Sequence, residues 1–419
     1  MPDRIPDDLI ALIDRFARIG ATPGGGVRRL TGSAEDGAAR ALFADLAQAR
    51  GARVAVDPVG NMFATFLTAP DATTTVLCGS HLDSQPTGGR FDGALGVLAA
   101  LDGAAALFAQ GIDAEHNLTV VNWTNEEGAR FQPSLTGSSV FCGKYSADFA
   151  LGLTDRAGVT MGDALGQIGW LGTGTPGLTP VHHLELHVEQ GSVLEDSGVQ
   201  IGAVTASWGV RKLTLAFTGA PSHTGPTAMH KRRDALRAAA LAITRFHDRM
   251  QGETAQLHWS AARIVAEPDS PNVVAARVTV WFEIRNPDQQ ICTEVGDRFL
   301  RAIAADIDAL GCGIEVVTDE ARPGTALDPA GVRLTLEVCE TLGLRATEMR
   351  TITGHDALAL AAVMPSTLVF VPSVGGLSHC EDELTLPDDL RNGGAVIRET
   401  LRRLACPAED AARARTDSG

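Results

Sequence analysis

Three stretches of the 419-residue chain share one pattern, an apolar run that ends in acids or histidines. TTTVLCGSHLDS runs from Thr73 into His81 and Asp83, and NLTVVNWTNEEG from Asn117 into Glu126 and Glu127. STLVFVPSVGGLSH runs from Ser366 to His379. Continuous apolar runs of this length predict buried strands. Between the first two, the Ala/Leu-rich segment from Gly93 to Gly111 has helical length. Strand, helix, strand in that order predicts an α/β fold, a mainly parallel sheet flanked by helices. Ligands bind such sheets beyond the carboxyl ends of the strands, where these polar clusters fall.

The middle of the chain follows a different rhythm. RKLTLAFTG (Arg211 to Gly219) alternates like a half-buried strand, a helical stretch runs from Arg232 to Gln251, and a strand follows from Ala255. ARVTVWFEIR then sets Val278, Val280, Phe282 and Ile284 on one face, before a helix from Gln289 to Leu310 and the strand GIEVVTDE. The order βαββαβ predicts a small α+β domain. It is expected at residues 208–323, inserted between catalytic-domain segments 1–207 and 324–406. The last residues, 407–419, lack an apolar face and are expected to be disordered.

Composition narrows the partners. No apolar run approaches the roughly 20 residues of a membrane helix. A formal charge of −16 argues against nucleic acid and anionic membranes. Seven scattered cysteines without a CxxC pair argue against a disulfide framework or a cysteine zinc site, and fit a reducing cytoplasm. Near the start, Leu9, Leu12, Ile13, Phe16 and Ile19 interleave with charges, which predicts a surface helix and not a signal peptide.

Four clusters carry candidate chemistry. In GSHLDSQPTGGRFDG, His81 and Asp92 are common ligands for zinc-like metals. Asp83, two residues after His81, lies on the same side of an extended chain and is suited to hold the second imidazole nitrogen. In NEEG, the adjacent acids can divide two roles, one coordinating metal and the other taking a proton from water. In HHLELHVEQG, strand alternation puts His187 on the polar face, whereas His182 and His183 read as ordinary surface or strand-start residues. GGLSHCEDE presents His379 after a glycine pair. Each cluster alone is also what a solvated turn or a structural histidine contains. Together they supply five metal ligands, a spare carboxylate base and an orienting Asp, which suits two metals sharing one carboxylate.

The series GSHLDSQPTGGRFDG, NWTNEEGARFQPSLTGSSVF, LELHVEQGSVLE, GAPSHTGPTAMHKRRDAL and FVPSVGGLSHCEDE resembles the N-carbamoyl-L-amino-acid hydrolase and allantoate amidohydrolase family. That family is related to the two-zinc aminoacylases and exopeptidases, and the resemblance runs from about Phe16 to about Leu401. It implies that His81, Asp92 and His187 hold one metal, and Asp92, Glu127 and His379 the other. Glu126 would be the general base and Gln190 a substrate contact. His223, Asn272 and Arg285 would meet the substrate carboxylate or the reaction oxyanion, and His355 would lie on the substrate side. The resemblance also implies a homodimer formed through the inserted domain, with His223 reaching the partner's site. Two divalent ions are expected, and zinc, manganese, cobalt and nickel all accept this ligand set. The implied substrate is a small N-carbamoyl amino acid. Allantoate, ureidoglycolate and β-ureidopropionate are the near alternatives; a dipeptidase, an aminoacylase or an inactive binding relative are the distant ones. Two positions depart from the family pattern: PNVVAARV lacks the usual Pro-Gly after Asn272, and Cys380 follows His379 as an inert neighbour.

Overall fold

The computed structural model describes residues 8–406 except 178, 254 and 255, so the tail expected to be disordered lies outside the described residues. The chain forms two compact units, Met1–Thr205 with Ala326–Gly419, and Ala206–Thr325. No described helix is long and apolar enough to cross a membrane.

The first unit is built on eight strands: β1 (Arg53–Val56), β2 (Met62–Phe66), β3 (Thr74–His81), β4 (Asn117–Trp123), β5 (Thr179–Val188), β6 (Ile201–Ser207), β13 (Ala346–Thr351) and β14 (Ser366–Val371). Their order in the sheet is β1-β2-β4-β3-β5-β14-β6-β13. The central four are parallel, and antiparallel pairs flank them on both sides. Parallel neighbours need a long crossover, which the helix Ala94–Gln110 supplies between β3 and β4; β1 and β2 need only a short turn. In register, His81 lies opposite Trp123 and His187 opposite Phe370. The parallel strands therefore deliver their polar clusters to one edge of the sheet.

The helix Ala94–Gln110 buries Leu95, Leu98, Leu101 and Leu107 in the main core, together with Leu390, Val396, Ile397 and Leu401 of the helix Pro387–Ala405. The N-terminal helix, Leu9–Ala17, is amphipathic, and Leu9, Leu12, Ile13 and Phe16 join the same core. Gly93 begins the Ala94–Gln110 helix with φ 65°, and a Cβ at that position would run into the His81 ring. A glycine is what lets the helix start so close to the strand end.

One sequence expectation needs correction. His182 and His183 are not surface residues: His183 is 0% exposed, and His182 is buried with its Nε2 2.8 Å from the Thr367 hydroxyl. β5 is a central strand covered on both faces, so alternation there does not separate inside from outside. Burial pushes the His183 imidazole down to about 3, keeping it neutral.

The inserted unit carries β7 (Gly209–Thr218), β8 (Ser222–His223), β9 (His258–Glu267), β10 (Val273–Val274), β11 (Arg277–Asn286) and β12 (Gly313–Arg322). The antiparallel sheet runs β12-β7-β11-β9, while β8 and β10 form a separate two-stranded ribbon that the sequence pattern did not predict. Val278, Val280, Phe282 and Ile284 are all buried, against the helices Ala235–Met250 and Gln289–Asp308. Phe282 stacks edge-on with Phe246 at 4.9 Å and lies 5.4 Å from Phe299. Truncating such a ring removes its transfer energy and leaves a cavity. Phe282→Ala is expected to destabilise the protein by about 3–5 kcal/mol, read from urea unfolding followed by tryptophan fluorescence.

Candidate functional site

At the carboxyl ends of the parallel strands, three imidazoles converge on Asp92. His187 Nε2 lies 3.0 Å and His81 Nε2 3.6 Å from Asp92 Oδ1, and His379 Nε2 lies 3.4 Å from Oδ2. Main-chain carbonyls fix two of the rings. His81 Nδ1 is 2.9 Å from the Asp83 oxygen, and His187 Nδ1 is 2.9 Å from the Val188 oxygen. A carbonyl can only accept, so both Nδ1 atoms carry a hydrogen, and the Nε2 atom of each ring is the one that faces Asp92. With Nε2 unprotonated, these rings and the Asp92 carboxylate would together offer lone pairs to a divalent cation. His81 Nε2 is moreover buried without a hydrogen-bond partner. This donor set fits a bound metal ion.

The structure corrects the expected role of Asp83. Strand β3 ends at His81, and the chain turns so that the carbonyl of Asp83, and not its carboxylate, meets the ring; the carboxylate is 3.7 Å away. Its oxygens instead accept the backbone N–H groups of Glu126 and Glu127, each at 3.3 Å, and the Thr31 hydroxyl at 3.1 Å. Asp83 thus holds the loop that carries both acids. The two acids then part. Glu127 Oε2 lies 3.5 Å from His379 Nε2, and the carboxylate accepts from the Gln85 backbone at 3.1 Å and its side chain at 2.7 Å. Glu126, 8% exposed, turns to the other side, with Oε2 3.4 Å from His81 Nε2.

Two groups of three, His81–Asp92–His187 and Asp92–Glu127–His379, each bring one donor atom per residue within 4.8 Å of the others, and Asp92 belongs to both. Burial, then Asp92, pushes Glu127 up to about 8, and burial likewise raises Glu126 and Asp83. Burial alone would raise Asp92 too, but the His187 and His81 imidazoles more than reverse it and hold it well below the ordinary range. Crowded, buried carboxyls of this kind are what a divalent cation stabilises. Asn125, Gln190 and His379 adopt left-handed backbone with φ of 56°, 59° and 56°. Non-glycine residues of that kind concentrate at functional sites.

Gln190 reaches the cluster, its Nε2 donating to Asp92 Oδ2 at 3.1 Å. His355 is 1% exposed and packs behind His187, ring centres 4.5 Å apart, with Nε2 2.8 Å from the Thr353 hydroxyl. It therefore backs the His187 ring and offers no open surface; with Glu185 and His187 it forms a third convergent group. His223, Asn272 and Arg285 belong to the inserted unit. His223 and Asn272 are exposed, the first paired with Val273 across the ribbon, and Arg285 Nε is 2.6 Å from Glu283 Oε1.

Several residues here were not singled out from sequence. Buried Glu185 accepts from the Ser80 hydroxyl and the Ala357 backbone, both at 2.7 Å. Buried Arg40 pairs with Asp36 at 2.7 Å and donates to Thr124, just ahead of the Glu126 loop, at 3.2 Å. Glu383 lies against the backbone of Asp92. An i, i+2 spacing from His187 was the available signal for Glu185; Arg40 offered none.

The site is thus a carboxylate–imidazole cluster at the strand ends of an α/β sheet, in a chain that carries an inserted α+β unit. Residues 77–403 match peptidase family M20/M25/M40. An N-carbamoyl-L-amino-acid amidohydrolase of Rhizobium meliloti is 37% identical over 387 residues, covering 91% of each chain. An allantoate amidohydrolase of Bacillus subtilis is 31% identical over 410 residues, covering 96% of this chain and 98% of that one. A solved amidase of the hydantoinase/carbamoylase family from Burkholderia vietnamiensis has a TM-score of 0.88 at 36% identity, covering 95% of this chain and 97% of that one. The chain belongs to the M20/M25/M40 family, in its N-carbamoyl-L-amino-acid hydrolase and allantoate amidohydrolase branch, and is a hydrolase of carbon–nitrogen bonds in linear amides.

Proposed function

We propose that this protein hydrolyses N-carbamoyl-L-amino acids to the amino acid, carbon dioxide and ammonia, with two divalent ions bound. The observation that carries the reading is the parting of two adjacent acids, Glu127 toward His379 and Glu126 toward His81. One ion would be held by His81, Asp92 and His187 and the other by Asp92, Glu127 and His379. When bound, such ions lower the pKa of water and polarise the carbamoyl carbonyl. Glu126 takes the proton of the attacking water and returns it to the leaving nitrogen. Asp83 keeps Glu126 aimed by holding its backbone. His223 serves the oxyanion, Arg285 pairs with the substrate carboxylate in competition with Glu283, and Asn272 meets one or the other.

The test is ammonia release from N-carbamoyl-L-amino acids, allantoate, ureidoglycolate and β-ureidopropionate. Chelated protein is expected to lose at least about 100-fold of its activity on the N-carbamoyl substrate and to regain it with zinc, manganese, cobalt or nickel. Preference for allantoate would move the substrate assignment within the branch. Silence on the whole panel with ions bound would overturn the ureido reading and direct attention to dipeptides and N-acyl amino acids.

A further inference from the structure

Glu383 is the last of three consecutive acids, and the only one of them that is buried, at 4% exposed. A buried carboxylate survives only where donors surround it. Glu383 Oε1 accepts the backbone N–H groups of Phe91 at 3.2 Å and Asp92 at 3.0 Å. Its Oε2 accepts the Ser378 hydroxyl at 2.8 Å. One carboxylate thereby ties together two segments 291 residues apart, one bearing Asp92 and the other leading directly into His379. The Ser378 hydroxyl also lies 3.4 Å from Asp92 Oδ2, so the tie runs alongside the shared carboxylate itself. The His379 side chain needs such a tie: it is 48% exposed, on a left-handed backbone, and packing alone does not hold it. The loop around Asp92 makes room for the tie, since a Cβ at Gly89 would drive into the Glu383 carboxylate.

We propose that Glu383 is a positioning residue, acting with Ser378, that sets Asp92 and His379 in register so that Asp92, Glu127 and His379 present themselves together to a divalent ion. This rests on the reading that those three residues hold an ion, and is independent of the substrate. Glu383 belongs to neither of the donor groups that contain Asp92. Its carboxylate orients Asp92 through the main chain and His379 through the neighbouring hydroxyl. The role depends on acceptor geometry and not on charge. A glutamine amide oxygen can accept both N–H groups while its NH2 donates to Ser378, whereas alanine takes the acceptor from the Phe91 and Asp92 N–H groups and leaves Ser378 only its longer contact to Asp92.

The experiment uses the full chain, stripped with chelator and titrated with Co²⁺, with the number of ions counted by calorimetry and elemental analysis. The wild type is expected to take two ions. Ser378→Ala and Glu383→Ala are expected to weaken one of the two by about 10–100-fold and the other, which shares Asp92 but not His379, by less, with Glu383→Gln close to wild type. Turnover of Ser378→Ala should recover at saturating Co²⁺ with KM unaltered. Ser378→Ala serves as the folded control if Glu383→Ala does not fold. Two unchanged ions in Ser378→Ala, or Glu383→Gln as damaged as Glu383→Ala, would overturn the positioning role while leaving the two-ion reading intact. A wild type that takes fewer than two ions would overturn both.

Discussion

Glu126→Gln is expected to lower turnover by about 10²–10⁴-fold while the protein keeps its ions, its fold and nearly its KM. The substitution changes shape very little and removes only the ability to accept a proton. Glu126 stands outside both of the groups that contain Asp92, although Glu127, the next residue, belongs to one of them. Its backbone is anchored by Asp83, and its carboxyl lies 3.4 Å from His81 Nε2. Burial raises the Glu126 carboxyl first, and Asp356, Glu127 and Asp83 add to that rise against the opposing pull of His81. A carboxyl raised in this way is a stronger base than an exposed one, as proton abstraction from water requires. Glu127→Gln should behave differently, lowering ion affinity as well as turnover. Ammonia release and ion content, measured on both variants, distinguish the two carboxylates. Glu126→Gln retaining more than about a tenth of wild-type turnover would remove Glu126 from the role of base.

The strand ends were legible because they pair two strong signals, an apolar run and an abrupt change to ionisable residues. Strands β3, β4 and β14 are buried almost throughout, so their sequences read as unbroken hydrophobic stretches. β13, ATEMRT, is polar and half-exposed at the sheet edge, and nothing in its pattern separates it from a loop. β11 was readable for the opposite reason: it is covered on one face only, and its burial alternates without a break. In β5 the same alternation misled, because that strand is covered on both faces and puts His183 as deep as Leu184. At the site, residue types were visible but bond partners were not. Asp83 stood in the right place for His81, yet a turn of the chain presented its carbonyl and freed its carboxylate for Glu126 and Glu127. Glu383 could not be told from Glu381 and Asp382, since only burial distinguishes them, and that burial depends on a loop 291 residues away.

The largest effect on ion binding is expected from Asp92→Ala. Every other donor in the two groups serves one of them, and Asp92 serves both. His379→Ala, at the solvent-facing edge, should therefore leave the His81–Asp92–His187 group intact and cost one ion. Asp92→Ala should cost both, and with them turnover to a level below that of Glu126→Gln. The substitution also removes the acceptor on which two buried imidazoles converge, His187 at 3.0 Å and His81 at 3.6 Å. Removing one member of a buried charged set typically destabilises by about 3–5 kcal/mol, so the variant should unfold at lower urea than the wild type even after both are stripped with chelator. Stripping separates the two contributions, because the difference that persists without ions belongs to the imidazole–carboxylate contacts and the remainder to ion binding. Elemental analysis after gel filtration reads the ions, and urea titration with and without chelator reads the stability. An Asp92→Ala protein that still carries two ions would show that the carboxylate is not shared, and the bridging arrangement would fall with it.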